Sequence, residues 1–261
     1  MSRIFITGSS QGLGLMTGQL LLQQGHQVVL HARNAKRAQD THTAAPAAEA
    51  VVIGDVSTLA GIRDVANQAA QLGRFDAVIH NVGIGYREPR RDETPDGLPR
   101  VFAINVLAPY VLTALMPRAK RLVYLSSGMH HHAHARLDDA LWTRRPWNGS
   151  EAYAESKLYD VVLAQAIARR WKDVVATALE PGWVPTRMGG PGAPDDMDQA
   201  HRTQAWLAAS QDMQALKSGE YYYHLKRRSI NPRADITHVQ DELIALCERL
   251  SGVKLPTGTT E

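Results

Sequence analysis

Two side chains four residues apart, Tyr153 and Lys157, have the chemistry needed for proton transfer. The segment around them, residues 151–171, has a helical pattern, so the spacing places both side chains on one helical face. A free phenol has a pKa of about 10, which is too high for efficient acid–base catalysis near neutral pH. An ammonium beside it stabilises the phenolate and lowers that pKa. The pair therefore indicates a general acid–base, although the spacing alone also arises by chance.

A glycine-rich turn between the first apolar run and the following helical pattern is typical of a phosphate-binding site. Its candidate cofactor residues are Gly8, Ser10, Gln11, Gly12, Leu13 and Gly14. Glycine lets the backbone turn tightly and approach a pyrophosphate without a Cβ in the way. The N–H groups and the positive dipole end of the following helix would face the phosphates. This turn predicts a bound dinucleotide.

The residues after the second predicted strand favour one form of that dinucleotide. A carboxylate at this point binds the ribose of NAD and repels the 2′-phosphate of NADP. This chain has Arg33 and Asn34 there, with Lys36 and Arg37 close behind. Arg33 can bind a phosphate through paired charge-assisted bonds and stack on the adenine. We therefore expect NADP(H) to be preferred over NAD(H); the alternative is that Arg33 is a solvated surface residue.

The elements that must position these residues alternate regularly along the chain. Strands are predicted at residues 4–7, 27–31, 50–54, 75–80, 121–126 and 174–179, and helices at 12–24, 59–72, 100–116 and 151–171. Alternating strands and helices, with nearly all-apolar strands, predict a Rossmann-type doubly wound parallel sheet with helices on both faces. Nothing divides the chain, so we expect one α/β domain over 1–261. Two long connections, 128–150 and 185–215, follow strand ends, where ligands bind in such sheets.

The order of the motifs resembles the short-chain dehydrogenase/reductase family. The matching segments are Thr7–Gly14, Asp55-Val56, His80–Gly83, Asn105, Ser126-Ser127, Tyr153-x3-Lys157 and Pro181–Thr186. Together they cover residues 3–187. The resemblance implies that Ser127 hydrogen-bonds the substrate oxygen, Tyr153 transfers the proton, Lys157 holds the nicotinamide ribose, and Asn105 holds a relay water. It further implies a cofactor site that includes Asp55, Val56, Asn81, Gly83, Pro181, Gly182, Val184 and Thr186.

The resemblance also implies a homodimer or homotetramer, paired through the helices that carry Asn105 and Tyr153. One detail of the sequence bears on Asn105. Pro109 lies four residues later in the same predicted helix and has no N–H for the Asn105 carbonyl. We expect a kink there, with the carbonyl free to bind the relay water, or else an ordinary helix irregularity.

Two departures from the family pattern stand out. His80 and Val82 replace the first Asn and the Ala of the family's Asn-Asn-Ala-Gly. The interval between Ser127 and Tyr153 is about twice that of compact bacterial members. It resembles loosely the retinol-dehydrogenase-like and carbonyl reductase members.

Aromatic residues in the two long connections suggest a substrate pocket. Trp142, Trp147, Trp183 and Met188 could form an apolar wall; alternatively, at least half of them pack the insertion. Such a wall favours an apolar or aromatic ketone or aldehyde, or the matching secondary alcohol. Residues 187–210 are expected to form a mobile lid. The histidines of 130–134 are expected to line the cleft or its edge rather than bind a metal, since the family's chemistry needs none.

Composition limits the remaining possibilities. The chain has 261 residues, 44% of them hydrophobic and 21% charged, which is typical of a soluble globular domain. Its only cysteine, Cys247, has the spacing of a core residue and excludes an intramolecular disulfide. The net charge of +3 is spread over clusters separated by acids, which does not favour a nucleic-acid partner. No apolar run approaches membrane-spanning length, so we expect a cytoplasmic protein without a membrane span.

Three functions fit this pattern. The first is an NADP(H)-dependent oxidoreductase that acts on a carbonyl or an alcohol. The second is a non-catalytic NADP(H) sensor or scaffold, since a fold does not fix a function. The third is an epimerase or dehydratase of the extended relatives, which usually have another glycine spacing and a longer C-terminal domain. Because Asn105, Ser127, Tyr153 and Lys157 are all present, the sequence favours the oxidoreductase.

Overall fold

The computed structural model describes residues 1–258, which form one α/β domain around an eight-stranded sheet. The strands are β1 Arg3–Ile6, β2 Gln27–Ala32, β3 Ala50–Ile53, β4 Ala77–His80, β5 Arg121–Leu125, β6 Val175–Glu180, β7 Tyr221–Tyr223 and β8 Lys226–Arg228. The helices are α1 Gly12–Gln23, α2 Ala35–Ala44, α3 Leu59–Gln71, α4 Arg100–Phe102, α5 Ala108–Leu115, α6 Gly149–Arg170, α7 Met197–Ala200, α8 Arg202–Ala209 and α9 Thr237–Ser251. The predicted fold class is confirmed.

The strand order is β3-β2-β1-β4-β5-β6-β7-β8, and only β8 is antiparallel to its neighbour. Alternate strand residues point to opposite faces: Phe5 packs on one side with α3, α5 and α6, whereas Ile4 and Ile6 pack on the other with α1 and α8. The chain reverses direction across the sheet between β1 and β4. The two strands are paired up to their carboxyl ends, and the segments that follow them lead to opposite sides of the sheet, which opens a cleft above this switch point.

The helix α8 corrects the prediction of a lid over 187–210. Thr203, Ala205 and Leu207 are buried, and α8 packs against α1, β4 and β5. The sheet requires a helix on this face because Ile79 and Val123 would otherwise be exposed. The part of the predicted lid from Arg202 onward is therefore core, and within 185–215 only the segment before it borders the cleft.

The helix carrying Asn105 is irregular, as expected from Pro109. Residues Ala103–Leu107 form a π-helical turn between α4 and α5, and Pro109 occupies the first turn of α5. Proline cannot supply the N–H of an α-helical bond, and a wider turn is one way to accommodate that loss. The backbone departs from α-helical geometry at Asn105; the relay water stays a prediction.

The helices α5 and α6 are covered by the chain itself. Every residue of 103–114 is buried, as are nearly all residues of 152–167. The helix α9 and the turn at Pro232–Asp235 pack on α6, and Cys247 lies in this core as predicted. The exposed helix faces that pairing through α5 and α6 would need are thus absent from the described residues. No helix within residues 1–258 has the length and hydropathy to cross a bilayer.

Candidate active site

A cleft of about 1070 Å³ lies above the carboxyl ends of the parallel strands. Its walls contain most of the residues selected from the sequence: Gly8, Ser10, Gln11, Gly12, Leu13, Gly14, Arg33, Asp55, Val56, Asn81, Gly83, Ser127, Tyr153, Lys157, Pro181, Gly182, Trp183, Val184, Thr186 and Met188. A volume of this size can hold a dinucleotide and a small organic substrate together. Apart from Asn105, the segments that resemble the family's motifs therefore converge on one site.

The glycine-rich turn is held in shape by close backbone packing. Gly8 has φ +61°, and a Cβ there would lie 2.7 Å from Val82 Cα. A Cβ on Gly14 would lie 2.5 Å from Asn81 Nδ2, which donates to the carbonyls of Thr7 and Gly8 at 3.1 and 3.0 Å. Larger residues would force the turn away from β4. Asn81 thus braces the turn as well as lining the cleft.

The turn fits a pyrophosphate. The helix α1 begins beside the cleft at Gly12, and among the described residues no side chain caps its first turn. Its first N–H groups therefore lack intrahelical acceptors and face an open space. Such a helix end attracts anions through its N–H groups and dipole.

A buried histidine ties this turn to the neighbouring strands. His31 Nδ1 accepts from Gly8 N–H at 2.9 Å, and its Nε2 donates to the Gly54 carbonyl at 2.9 Å. The contact with Gly8 requires the neutral ring, because a protonated Nδ1 could not accept. Burial lowers the pKa of His31, although the Gly54 contact and Asp55 act in the opposite direction. The uncharged His31 ring therefore links the segments that follow β1 and β3 through hydrogen bonds.

The far end of the cleft carries two arginines. Arg33 and Arg37 both line it, at the start of the segment after β2. Asn34, predicted to bind the cofactor, does not line the cleft: its Oδ1 accepts from Arg37 N at 3.0 Å and caps α2. An N-cap residue satisfies a helix N–H and is directed along the helix axis. Arg37, half-buried in the cleft, takes the predicted place beside Arg33.

Tyr153 and Lys157 lie on α6, whose N-cap is Asn148. Both side chains are buried, and Lys157 Nζ lies 5.9 Å from the centre of the Tyr153 ring. Burial raises the pKa of Tyr153, while the Lys157 charge and a hydrogen bond with Ser127 lower it. The net direction is upward, so the expected lowering by Lys157 is present but is outweighed by burial.

Asn105 does not line the cleft but lies directly behind it. Its Nδ2 donates to Ile84 O at 3.1 Å and to Ser156 Oγ at 3.0 Å, and its Oδ1 accepts from Ile84 N at 2.9 Å. Ser156 in turn donates to the Tyr153 carbonyl. Asn105 thus connects the loop after β4 with the helix that carries Tyr153. Its side chain serves as a brace.

The substrate side of the cleft is formed by two loops that meet. The loop after β4 places Tyr86 edge-on to Tyr153, with ring centres 5.8 Å apart. A Cβ on Gly85 would lie 2.6 Å from Met188 Cγ, so this loop touches the segment after β6. Trp183 stands at the rim, 52% exposed, and donates through Nε1 to the Gly189 carbonyl. The resulting wall is largely apolar.

Two predicted wall residues lie elsewhere. Trp142 and Trp147 pack edge-to-face on each other, 5.4 Å apart, against Val101 and Ala152. Trp142 Nε1 donates to Glu155 Oε2 at 3.1 Å. The prediction that these tryptophans line the cleft is wrong; they pack the insertion, which was the alternative.

An ion pair explains why the insertion folds inward. Arg145 forms two hydrogen bonds with the Glu155 carboxylate, at 2.7 and 2.5 Å, and its guanidinium lies 3.5 Å from the centre of the Trp142 ring. A buried carboxylate requires such a partner. Because Glu155 lies two residues from Tyr153, the insertion is attached to the N-terminal part of α6.

The histidines of 130–134 also lie outside the cleft wall, which corrects their predicted place. His130 is fully buried: its Nδ1 contacts Ser127 O at 2.8 Å, and its ring packs 4.6 Å from that of Tyr221. Asn231 Nδ2 donates to the carbonyls of His130, His131 and Ala133, which closes the segment from below. Within residues 1–258, no three His, Cys, Asp or Glu side chains are grouped closely enough to hold a metal.

Three functional candidates escaped the sequence argument. Tyr86 and Glu180 line the cleft, and burial raises the pKa of Glu180. Asp160 lies behind the cleft, with its Oδ2 2.8 Å from Lys157 Nζ. Two of these residues had a signal in the sequence. Glu180 directly precedes the Pro181–Thr186 segment, and Asp160 follows Lys157 by three residues on a predicted helix, which places both on one face. The position of Tyr86 depends on a loop and had no local signal.

Comparison with known proteins gives consistent matches. A family model described as short chain dehydrogenase matches residues 2–129. An uncharacterized oxidoreductase of Emericella nidulans is 45% identical, over 99% of this chain and all of that protein. The short-chain dehydrogenase chry4 of Gibberella zeae is 38% identical, over 98% of this chain and all of its own length. Human retinol dehydrogenase 13 is 27% identical, over 97% and 86%.

The fold is also found among solved structures. The crystal structure of an uncharacterized protein from Mycobacterium paratuberculosis superimposes with a TM-score of 0.83 at 24% identity, covering 98% of this chain and 95% of that one. At this identity the match concerns the fold.

Proposed function

Because the chain belongs to the short-chain dehydrogenase family and is an oxidoreductase of that family, we propose that it is an NADP(H)-dependent carbonyl reductase. Its substrate on this proposal is an apolar or aromatic ketone or aldehyde. The observation that carries the proposal is the convergence of Ser127, Tyr153 and Lys157 with the glycine-rich turn in one cleft.

Each part of the cleft then has a task. The N–H groups at the start of α1 bind the pyrophosphate, and Arg33 and Arg37 bind the 2′-phosphate. When bound, the reduced cofactor supplies the hydride. Ser127 orients the carbonyl oxygen of the substrate. Tyr153 donates its proton to that oxygen, and Lys157 stabilises the phenolate that remains.

The substrate class follows from the walls of the cleft. Tyr86, Met129, Trp183 and Met188 line the cleft, and Tyr86 packs edge-on to Tyr153. Apolar side chains with few polar groups favour an apolar ligand, oriented by Ser127 and Tyr153. A pKa of Tyr153 held above its ordinary value keeps the phenol protonated, as reduction of a carbonyl requires.

The burial of α5 and α6 supports a further part of the proposal. Pairing through these helices would need exposed apolar faces, and the described chain covers them with its own segments. We therefore propose that the protein acts as a monomer and not as the dimer or tetramer that the resemblance implies. A cytoplasmic location stays a prediction.

Turnover of a ketone and aldehyde panel, followed by the loss of NADPH absorbance, tests the proposal. We expect reduction of apolar carbonyls by the wild type and a fall in kcat of at least about 100-fold in Tyr153→Phe, typical of losing a general acid. NADPH binding should persist in that variant. Tyr159→Phe is the matched control, because its hydroxyl is buried on the same helix without a partner among the described residues.

Three outcomes would contradict the proposal. Tight NADPH binding without turnover of any carbonyl would favour the sensor. Turnover that consumes no net NADPH would favour an epimerase or dehydratase. Full activity of Tyr153→Phe would remove the assigned proton donor.

A further inference from the structure

We propose that Asp160 is a positioning residue of the candidate site: its carboxylate fixes the Lys157 ammonium and balances its charge, so that Tyr153 keeps its proton and reduction is favoured over alcohol oxidation. The effect on the reaction rests on the proposed function, whereas the contact between Asp160 and Lys157 rests on the geometry of α6. Asp160 lies three residues after Lys157, on the same helical face.

The contact itself is short and buried. Lys157 Nζ donates to Asp160 Oδ2 at 2.8 Å and to the Leu125 carbonyl at 2.7 Å. The side chains of Lys157 and Asp160 are 5% and 3% exposed. An ammonium has three donors, and these two contacts fix two of them. The remaining N–H is directed by the other two, and Lys157 Nζ lies beside Gly83 on the cleft wall.

The pair also changes the electrostatics of the phenol. The Lys157 ammonium favours the phenolate, and the Asp160 carboxylate opposes part of that effect, so the pair lowers the pKa of Tyr153 less than an unpaired ammonium would. Within the described residues, the titratable groups that face Asp160 are Lys157 and Tyr153 on α6 and Tyr124 on β5. His80 stacks on Tyr124, and burial lowers its pKa to about 3, so it is neutral. Among residues 1–258, Lys157 is thus the only cation that acts on Asp160.

The preference for carbonyl reduction over alcohol oxidation follows from the proton balance of the two reactions. In reduction, the carbonyl carbon gains a hydride from NADPH, the carbonyl oxygen takes the Tyr153 proton, and the phenolate regains a proton from solvent. In oxidation, Tyr153 must first lose its proton so that it can accept that of the alcohol. A site that keeps the phenol protonated therefore supports carbonyl reduction and shifts alcohol oxidation to higher pH.

The ionisation of Tyr153 can be measured directly. Tyrosine labelled with ¹³C at Cζ reports phenolate formation by NMR, and Tyr153→Phe assigns the signal. At an effective dielectric constant of about 20, a unit charge within about 10 Å changes a pKa by about one unit. We expect Asp160→Asn, which keeps the shape of the side chain, to lower the pKa of Tyr153 by about that amount.

Glu151→Gln is the matched control, because it removes an exposed carboxylate from the first turn of the same helix. It should leave the Tyr153 titration unchanged. Asp160→Ser serves if the asparagine variant does not fold. An unchanged Tyr153 titration in a folded Asp160 variant would overturn the proposal and leave the ion pair a purely structural contact.

A kinetic readout separates this proposal from the assigned reaction. The pH midpoint for alcohol oxidation should fall by about one unit in Asp160→Asn, which is about a tenfold gain in rate below that midpoint. The KM for NADPH should rise because Lys157 is no longer fixed. The NMR titration needs no turnover, so it decides the role of Asp160 even if no carbonyl is reduced.

Discussion

Replacing Arg33 and Arg37 by alanine is expected to remove most of the preference for NADPH over NADH. Both guanidinium groups line the cleft after β2, Arg33 exposed and Arg37 half-buried. A charge-assisted bond is worth about 1.5–3 kcal/mol when protected, and about 1 kcal/mol when exposed. We therefore expect each single variant to weaken NADPH binding by roughly 5- to 20-fold. The double variant should lose roughly 100-fold, and less if both groups share one phosphate oxygen.

The dissociation constants for NADPH and NADH, measured by calorimetry on each variant, give the ratio directly. NADH lacks the 2′-phosphate, so its affinity should change by less than about threefold. Lys36→Ala is the matched control, since Lys36 carries the same charge in the same segment but lies outside the cleft wall. An unchanged ratio in the double variant, or an equal loss in Lys36→Ala, would refute the assignment of the 2′-phosphate site.

Three further predictions concern the folded chain. Light scattering after gel filtration should give the mass of one chain, 28.7 kDa, because α5 and α6 are already covered; a mass of twice that value would contradict the monomer. Burial lowers the pKa of His80 to about 3 and that of His130 to about 4, so their contribution to stability is complete above about pH 6.5 and is lost as the pH falls. Urea unfolding should show a loss of about 2 kcal/mol for each of them by pH 5, and a His80→Asn variant with the same pH slope as the wild type would contradict this. Gly8→Ala should cost more than about 2 kcal/mol in the same assay, because its Cβ would meet Val82, whereas Gly97→Ala, which also has positive φ but open space, should cost about 1 kcal/mol; equal costs would show that backbone strain alone decides.

Much of the fold was predictable because the pattern of the central strands is strong. The ends of six strands and four helices were predicted to within two residues, with the helix over 100–116 observed as α4, a π-helical turn and α5, because apolar runs and helical periodicity agree there. The helix α2 was missed because it is polar and buries only Ala38 and Thr41. The hairpin of β7 and β8 was missed because Lys226–Arg228 is a charged edge strand with no apolar pattern.

The site was predictable where the residue type and the local element fix the direction of the side chain. Tyr153 and Lys157 could be placed because two residues four apart on a helix lie on the same face. Trp142 and Trp147 could not, since an aromatic in a long loop can face a pocket or a core. Their direction depends on Glu155 and Arg145, and that contact is tertiary.

The insertion, the C-terminal segment and Asp160 belong to one physical arrangement. The insertion attaches to α6 through Glu155, and α9 packs on the same helix, so α6 is enclosed without a partner subunit. Enclosure removes Tyr153 and Lys157 from water. A buried ammonium is costly unless a carboxylate lies beside it, and Asp160 supplies that carboxylate. The same enclosure raises the pKa of Tyr153. The chain thus combines a covered helix, a paired lysine and a protonated phenol, and each of these follows from the one before.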